Sequence, residues 1–274
     1  MFTLSTPTRP AKSADRTRRF GASSAATGVA LVCLGLVAAA TPAVSSSPGD
    51  GTTAARAGRV TTEFRFNFDN GESLKPGTRV RDASRHKNRG TVVVSGNGNL
   101  KRVDGLRGVG AKYPRMCRGC GRALIEVSDE RTLRPRRHPF WFGAAVRATD
   151  GQARRGKDPN IVQKGYINGE GGQWKLELVG SRPRCVIAGR RGEVKVKSSV
   201  KVDDGTWHNL RCRREGRLVT LRVDGKVVNR GKGRIGRITT TAPIRIGGKG
   251  VGSRSGDDQY HGSLDNVYLR IDRR

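Results

Sequence analysis

Acidic side chains are scarce in this sequence: 23 Asp and Glu stand against 54 Lys and Arg, a formal net charge of +31. Aromatic residues make up only 5% of it and hydrophobic residues 34%. The catalytic constellations are missing too. A retaining glycosidase needs two carboxylates about 5 Å apart. On one strand face that means acids at i and i+4, and no Glu-x-Asp-x-Glu run occurs. Glu126, Asp129 and Glu130 lie close together without that alternation, and Glu170 sits among glycines. His86, His138, His208 and His261 are scattered, with no His-x-His or His-Glu-x-x-His pair. Ser198 and Ser199 lack the glycines of a nucleophile elbow. Gly247-Gly248-Lys249-Gly250 follows a strand without a helix start, so it reads as a turn and not as a phosphate loop. The expectation is a protein that is not an enzyme.

Long apolar runs are also lacking. The best one, 29–40, is about half of what a spanning helix needs. It follows the basic Arg16, Arg18 and Arg19 and precedes small-residue cleavage sites at Ala38-Ala39-Ala40 and Thr41-Pro42-Ala43. That order predicts a secretory signal peptide over 1–43, with a flexible Ser/Gly/Thr/Ala-rich linker over 44–58. A secreted, extracellular chain follows, with no integral membrane association after cleavage.

Beyond the leader remain Cys117, Cys120, Cys185 and Cys212. In an exported chain four cysteines point to disulfides, with three possible pairings. Cys185–Cys212, joining two β segments, and Cys117–Cys120, closing a small loop, are favoured. Half a zinc site or a redox pair is the alternative for Cys117-x-x-Cys120. Zinc needs further ligands at suitable spacing, and a redox pair a helix start.

What is abundant is glycine, 38 residues, and period-2 patterning. In 203–228, His208, Leu210 and Cys212 share one parity, and Val219, Leu221 and Val223 share another, with turns at Glu215-Gly216 and Asp224-Gly225. Similar strands are predicted near 62–68, 91–95, 122–127, 139–148, 160–164, 173–179, 183–189, 194–200, 207–214, 217–223, 226–229, 243–247 and 260–272. Many short strands with regular turn signals predict an all-β, antiparallel two-sheet sandwich over 59–274.

The wording of these strands resembles a known family. Asp204-Gly205-Thr206-Trp207-His208 followed by Val223-Asp224-Gly225 is similar to a signature of laminin-G-like domains in the concanavalin-A-like lectin/glucanase superfamily, closest to its secreted bacterial members. In the same order come Phe64–Asn70, Asp82-Ala83-Ser84, the Phe-rich 139–147, Ile161–Gly165 and Gly262–Val267. The resemblance implies a jelly-roll lectin fold, a carbohydrate or cell-surface glycan as ligand, and in many relatives a structural calcium ion bridging the first and last strands. Asp69, Asn70 and Asp265 are the candidate calcium residues. Asp265 shares the parity of the core-facing Val267, Leu269 and Ile271, so its carboxylate must be coordinated or hydrogen-bonded. Capping of backbone amides is the other reading.

Tyr166 and Trp174 flank the polar loop 167–172 and are the candidate sugar platforms. Trp207 is expected to pack at a strand start, and Trp141 or its neighbours Phe140 and Phe142 must point outward. The positive charge adds a second class of partner, an anionic cell-surface polymer bound by a basic adhesion protein. Intracellular nucleic acid is not expected of an exported chain. A glycoside hydrolase is the third reading.

Overall fold

The computed structural model describes residues 60–115, 117, 119–153, 158–252 and 256–273. The expected signal peptide and linker lie outside the described residues. The described part is an antiparallel sandwich of two sheets with eight strands each. One sheet holds β1 (Val60–Phe66), β4 (Lys101–Asp104), β5 (Val109–Lys112), β7 (Phe140–Thr149), β12 (Asp204–Glu215), β13 (Leu218–Val223), β14 (Lys226–Lys232) and β16 (Ser263–Asp272). Its order is β14-β13-β12-β7-β16-β5-β4, with β1 also on β16. The other holds β2 (Arg79–Val80), β3 (Gly90–Ser95), β6 (Arg122–Val127), β8 (Asn160–Lys164), β9 (Gln173–Val179), β10 (Arg182–Gly189), β11 (Gly192–Lys197) and β15 (Ile244–Ile246). Its order is β11-β10-β9-β8-β15-β6-β3-β2. A 3-10 turn at Arg131–Leu133 and a four-residue helix at Asp150–Ala153 complete the described elements.

Alternation places the core. Leu210 and Cys212 on β12 are buried beside Val219, Leu221 and Val223 on β13. The turn after β13 takes the left-handed conformation at both Asp224 (φ 49°) and Gly225 (φ 78°), as a two-residue hairpin with strand-matching twist requires. Phe64, Phe66, Phe68, Phe140 and Phe142 are all fully buried. Phe142 meets Trp174 of the facing sheet at a ring separation of 4.5 Å. Of the aromatic trio in β7, it is therefore Trp141 that points outward, half-buried.

Both favoured disulfides are present, Cys117–Cys120 and Cys185–Cys212. The second joins β10 to β12 and so ties one sheet to the other through the core.

Candidate functional site: a polar cleft and a carboxylate corner

The second sheet's outer face carries a polar row. Register aligns Gln163 with Lys175, Lys175 with Val186, and Val186 with Lys195 across β8 to β11. Over this row lies a cleft of about 220 Å³, rimmed by Tyr166, Ile167 and Lys249. Its floor is unusually polar for its depth. Glu177 is fully buried, held by Lys175 at 2.5 Å and by Arg184 Nε at 2.7 Å. Arg184 also reaches Asp158 at 2.8 Å. Gln163 and Gln173 are both buried in the same wall. Asp258 closes one side. Burial raises its pKa, against the opposing charges of Lys249 and Lys175. The cleft thus presents carboxylate, amide and cationic groups, of which Glu177, Lys175 and Arg184 are fixed in orientation by mutual bonds.

Of the two expected platforms, Tyr166 stands at this cleft. Its ring lies 5.9 Å from both the Arg245 guanidinium and the Lys249 ammonium, and its hydroxyl accepts from Arg245. Trp174 is not a platform. It faces the core, fully buried between the sheets against Phe140 and Phe142. The parity of Trp174, Leu176 and Leu178 along β9 already carried that signal. Glu177, Lys175 and Arg184 were missed because acid–base pairs across a hairpin read as ordinary solvated surface.

Of the three candidate calcium residues, Asp69 and Asp265 meet at one loop and Asn70 does not join them. Asp265 is fully buried, and its Oδ2 accepts backbone N–H groups of Leu106 (3.0 Å) and Arg107 (3.4 Å). Asp69 Oδ1 accepts the N–H of Val109 at 2.8 Å, so both carboxylates grip the 105–109 loop. Burial raises the Asp265 pKa, three backbone amides oppose the shift, and the charge of Asp69 adds to it. Asn67 donates to Asp69 at 2.8 Å while its own Oδ1 is buried without a partner. Asn70 is exposed on the following turn. Among the described residues no three His, Cys, Asp or Glu side chains gather as a metal set.

Other acids pair with cations. Glu126 pairs with Arg245 at 2.8 Å, and Asp129 pairs with Arg134 and Lys164. His208 bridges Asp224 (2.8 Å) and Asp204 (3.1 Å) at the sheet's rim. Trp207 is half-buried beneath the Arg147 guanidinium. A wider hollow of about 600 Å³ near Asn97 and Lys112 offers no exposed ring, since its Tyr113 is buried. No helix among the described residues is long and apolar enough to cross a membrane.

Residues 164–271 match the laminin G domain model. No curated protein sequence matches the chain. Solved structures share the fold at low identity. The binding domain of Paraclostridial Mosquitocidal Protein 1 superposes with a TM-score of 0.57 at 15% identity, over 78% of this chain and 49% of that one. Domain 4 of AbnA, a GH43 extracellular arabinanase from Geobacillus stearothermophilus solved with arabinotriose, gives 0.56 at 14%, over 78% and 93%. A structure of botulinum neurotoxin type C, whose cell entry is described as dependent upon interaction with two ganglioside molecules, gives 0.54 at 10%, over 78% and 49%. The chain thus spans about half of the toxin chains and nearly all of the arabinanase domain.

Proposed function

We propose, from the premise that the chain carries a laminin-G-like domain of the concanavalin-A-like lectin/glucanase superfamily, that it is a secreted, non-catalytic module binding glycans in the cleft beside Tyr166. The observation that carries this reading is the floor of that cleft. Three carboxylates, the buried Glu177 among them, two buried amides and four cations line a hollow of about 220 Å³ under one half-exposed ring. Sugar hydroxyls both donate and accept, so they need such mixed partners. Glu177 supplies acceptors, Lys175 and Arg184 supply donors, and Gln163 and Gln173 supply both. The neighbours described with arabinotriose and with gangliosides agree with this ligand class. Calorimetric titration of the protein with a panel of neutral and acidic oligosaccharides, at low and high salt, tests it. One glycan should bind with little salt dependence, and Tyr166→Ala should weaken it about tenfold, the loss of a single ring contact. Salt-resistant binding to none of the panel would remove the reading.

A structural calcium belongs to the same proposal. Asp69 and Asp265 are two carboxylates beside one loop, and the unpartnered Asn67 Oδ1 adds a third oxygen source. Calcium accepts such oxygens together with backbone carbonyls. These three residues would hold the ion. It would offset the carboxylate repulsion and fix the 105–109 loop against the last strand. Thermal unfolding with calcium and then with chelator tests this. A rise in midpoint that Asp265→Asn abolishes supports the ion, and equal midpoints leave Asp265 as a cap of backbone amides.

A further inference from the structure

The outer face of the first sheet, remote from the cleft, carries six arginines and no lysine on β1, β7, β12, β13 and β16: Arg65, Arg147, Arg211, Arg213, Arg222 and Arg270. Strand register sets them in rows. Arg213 stands beside Trp141, and Trp141 beside Arg270. The next row runs Arg222, Arg211, Gly143, Tyr268, Arg65.

Three of the guanidinium groups are seated on rings. Arg213 lies 5.6 Å over Trp141, Arg270 lies 5.5 Å over Tyr268, and Arg147 lies 5.0 Å over Trp207. A ring beneath the flat face of a guanidinium holds its plane and leaves its N–H edge free to donate. Among the described residues only Arg213 of the six is ion-paired, to Glu215 at 3.1 Å on the hairpin turn. Nε of Arg213 and Nε of Arg270, on either side of Trp141, are both buried without a hydrogen-bond partner. Along the second row, on its side away from Trp141, lies a depression of about 290 Å³ lined by Asn209, Arg211, Arg222 and Tyr268. Gly143 lets the row pack closely: a Cβ there would collide with the Leu210 carbonyl and press on the Tyr268 hydroxyl.

We infer that this face is a second binding site, for a linear polymer bearing tetrahedral oxyanions, that is, phosphate or sulfate esters. Guanidinium forks match such oxyanions in bidentate fashion, which a lysine surface would not do. Arg211 and Arg222 are neighbours on adjacent strands, about 5 Å apart, Arg211 and Arg213 are about 7 Å apart along β12, and Arg213 and Arg270 are two strands apart, about 10 Å, so the rows suit a charge that repeats along a chain. Nucleic acid is disfavoured because the rings on which bases would stack are already covered by guanidinium groups.

Fluorescence-monitored titration of the protein with inorganic polyphosphate and with dextran sulfate, over a range of salt, tests the site. Arg211→Gln/Arg213→Gln/Arg270→Gln should lose about tenfold or more in affinity and flatten the salt dependence. Arg79→Gln/Arg81→Gln/Arg85→Gln removes the same charge from other exposed positions and should cost less than about a third of that. Arg213→Lys/Arg270→Lys, which keeps the charge, should still weaken binding because the fork is gone. Equal losses from the two triple variants would overturn the site in favour of diffuse charge. Poly-glutamate binding as tightly as polyphosphate would overturn the oxyanion class. Single-stranded DNA binding more tightly than polyphosphate of equal charge would replace it with a stacking nucleic-acid site. Tyr166→Ala should leave all of these titrations unchanged, so failure at the cleft and failure at this face are separately visible.

Discussion

Nζ of Lys164 lies 2.5 Å from Oδ1 of Asp129 and has no exposed side-chain surface. The ammonium also donates to the Ala242 carbonyl at 2.5 Å. Burial lowers the lysine pKa, and its bond to Asp129 only partly opposes this. Burial would raise the Asp129 pKa, but Arg134 and Lys164 outweigh it and hold the carboxylate below its usual range. Taking away one partner leaves the other charge buried alone. Asp129→Asn should therefore cost about 3–5 kcal/mol in chemical denaturation. Replacing both by apolar residues of similar size should recover most of that loss, and a double variant no better than the single would refute the pairing.

His208 predicts a pH dependence. Burial alone would lower its pKa, but Asp224 and Asp204 outweigh burial and raise it. Because the folded value lies above the unfolded one, its stabilisation is complete below about pH 6.5 and fades as pH rises through the folded value. Asp204 has the opposite sign. Bonds from the Thr206 backbone and side chain, then His208, lower it to about 2. Its contribution is present above about pH 3.9 and is lost on acidification towards the folded value. His138 and His261, whose pKa values burial lowers, contribute in the opposite sense. The difference in denaturation midpoint between the protein and His208→Gln therefore isolates the His208 contribution: the stability advantage over the variant should shrink from pH 6 towards 8.

The two disulfides should differ in worth. Cys185 and Cys212 are 27 residues apart and join the sheets, whereas Cys117 and Cys120 are three apart. Closing the longer loop restrains more of the unfolded chain. Cys185→Ala/Cys212→Ala should cost about 3 kcal/mol, and Cys117→Ala/Cys120→Ala much less. Equal losses in the denaturation midpoint would count against the unfolded-chain account.

Trp174 and Tyr166 separate stability from binding. Trp174→Ala opens a cavity against Phe142 and should cost about 3–5 kcal/mol. Tyr166→Ala loses contacts at a half-exposed rim and should move the melting temperature little. A glycan titration and a melt on both variants check the contrast.

Much of this fold is legible in the sequence, and the exceptions share a cause. Parity named the buried faces of β12, β13 and β16, and glycine with aspartate named the turns. The strands 79–80, 101–104 and 109–112 were not foreseen. The first is two residues long, Lys101-Arg102-Val103-Asp104 is nearly all polar, and Val109-Gly110-Ala111-Lys112 carries little side chain. β5 is fixed by Ser263 and Leu264 far along the chain, while β2 and β4 pair locally, with β3 and β5, through backbone bonds that their side chains do not announce. Asp265 announced itself because a carboxylate stood in a core parity. Lys164 did not, since a lysine at a strand end reads as solvated, and only the long-range approach of Asp129 shows why it can be buried. The cleft was half legible: Tyr166 bordered a polar loop, but its floor depends on register across four strands, which no single segment encodes.

The Cys185–Cys212 bond runs between two sheets whose outer faces look in opposite directions. A single copy with a glycan in the polar cleft of one sheet and a phosphate or sulfate chain along the arginine rows of the other would be divalent without oligomerising. It would act as a rivet between two extracellular polymers, and mechanical load passing from one to the other would cross the sandwich along the covalent path of that disulfide.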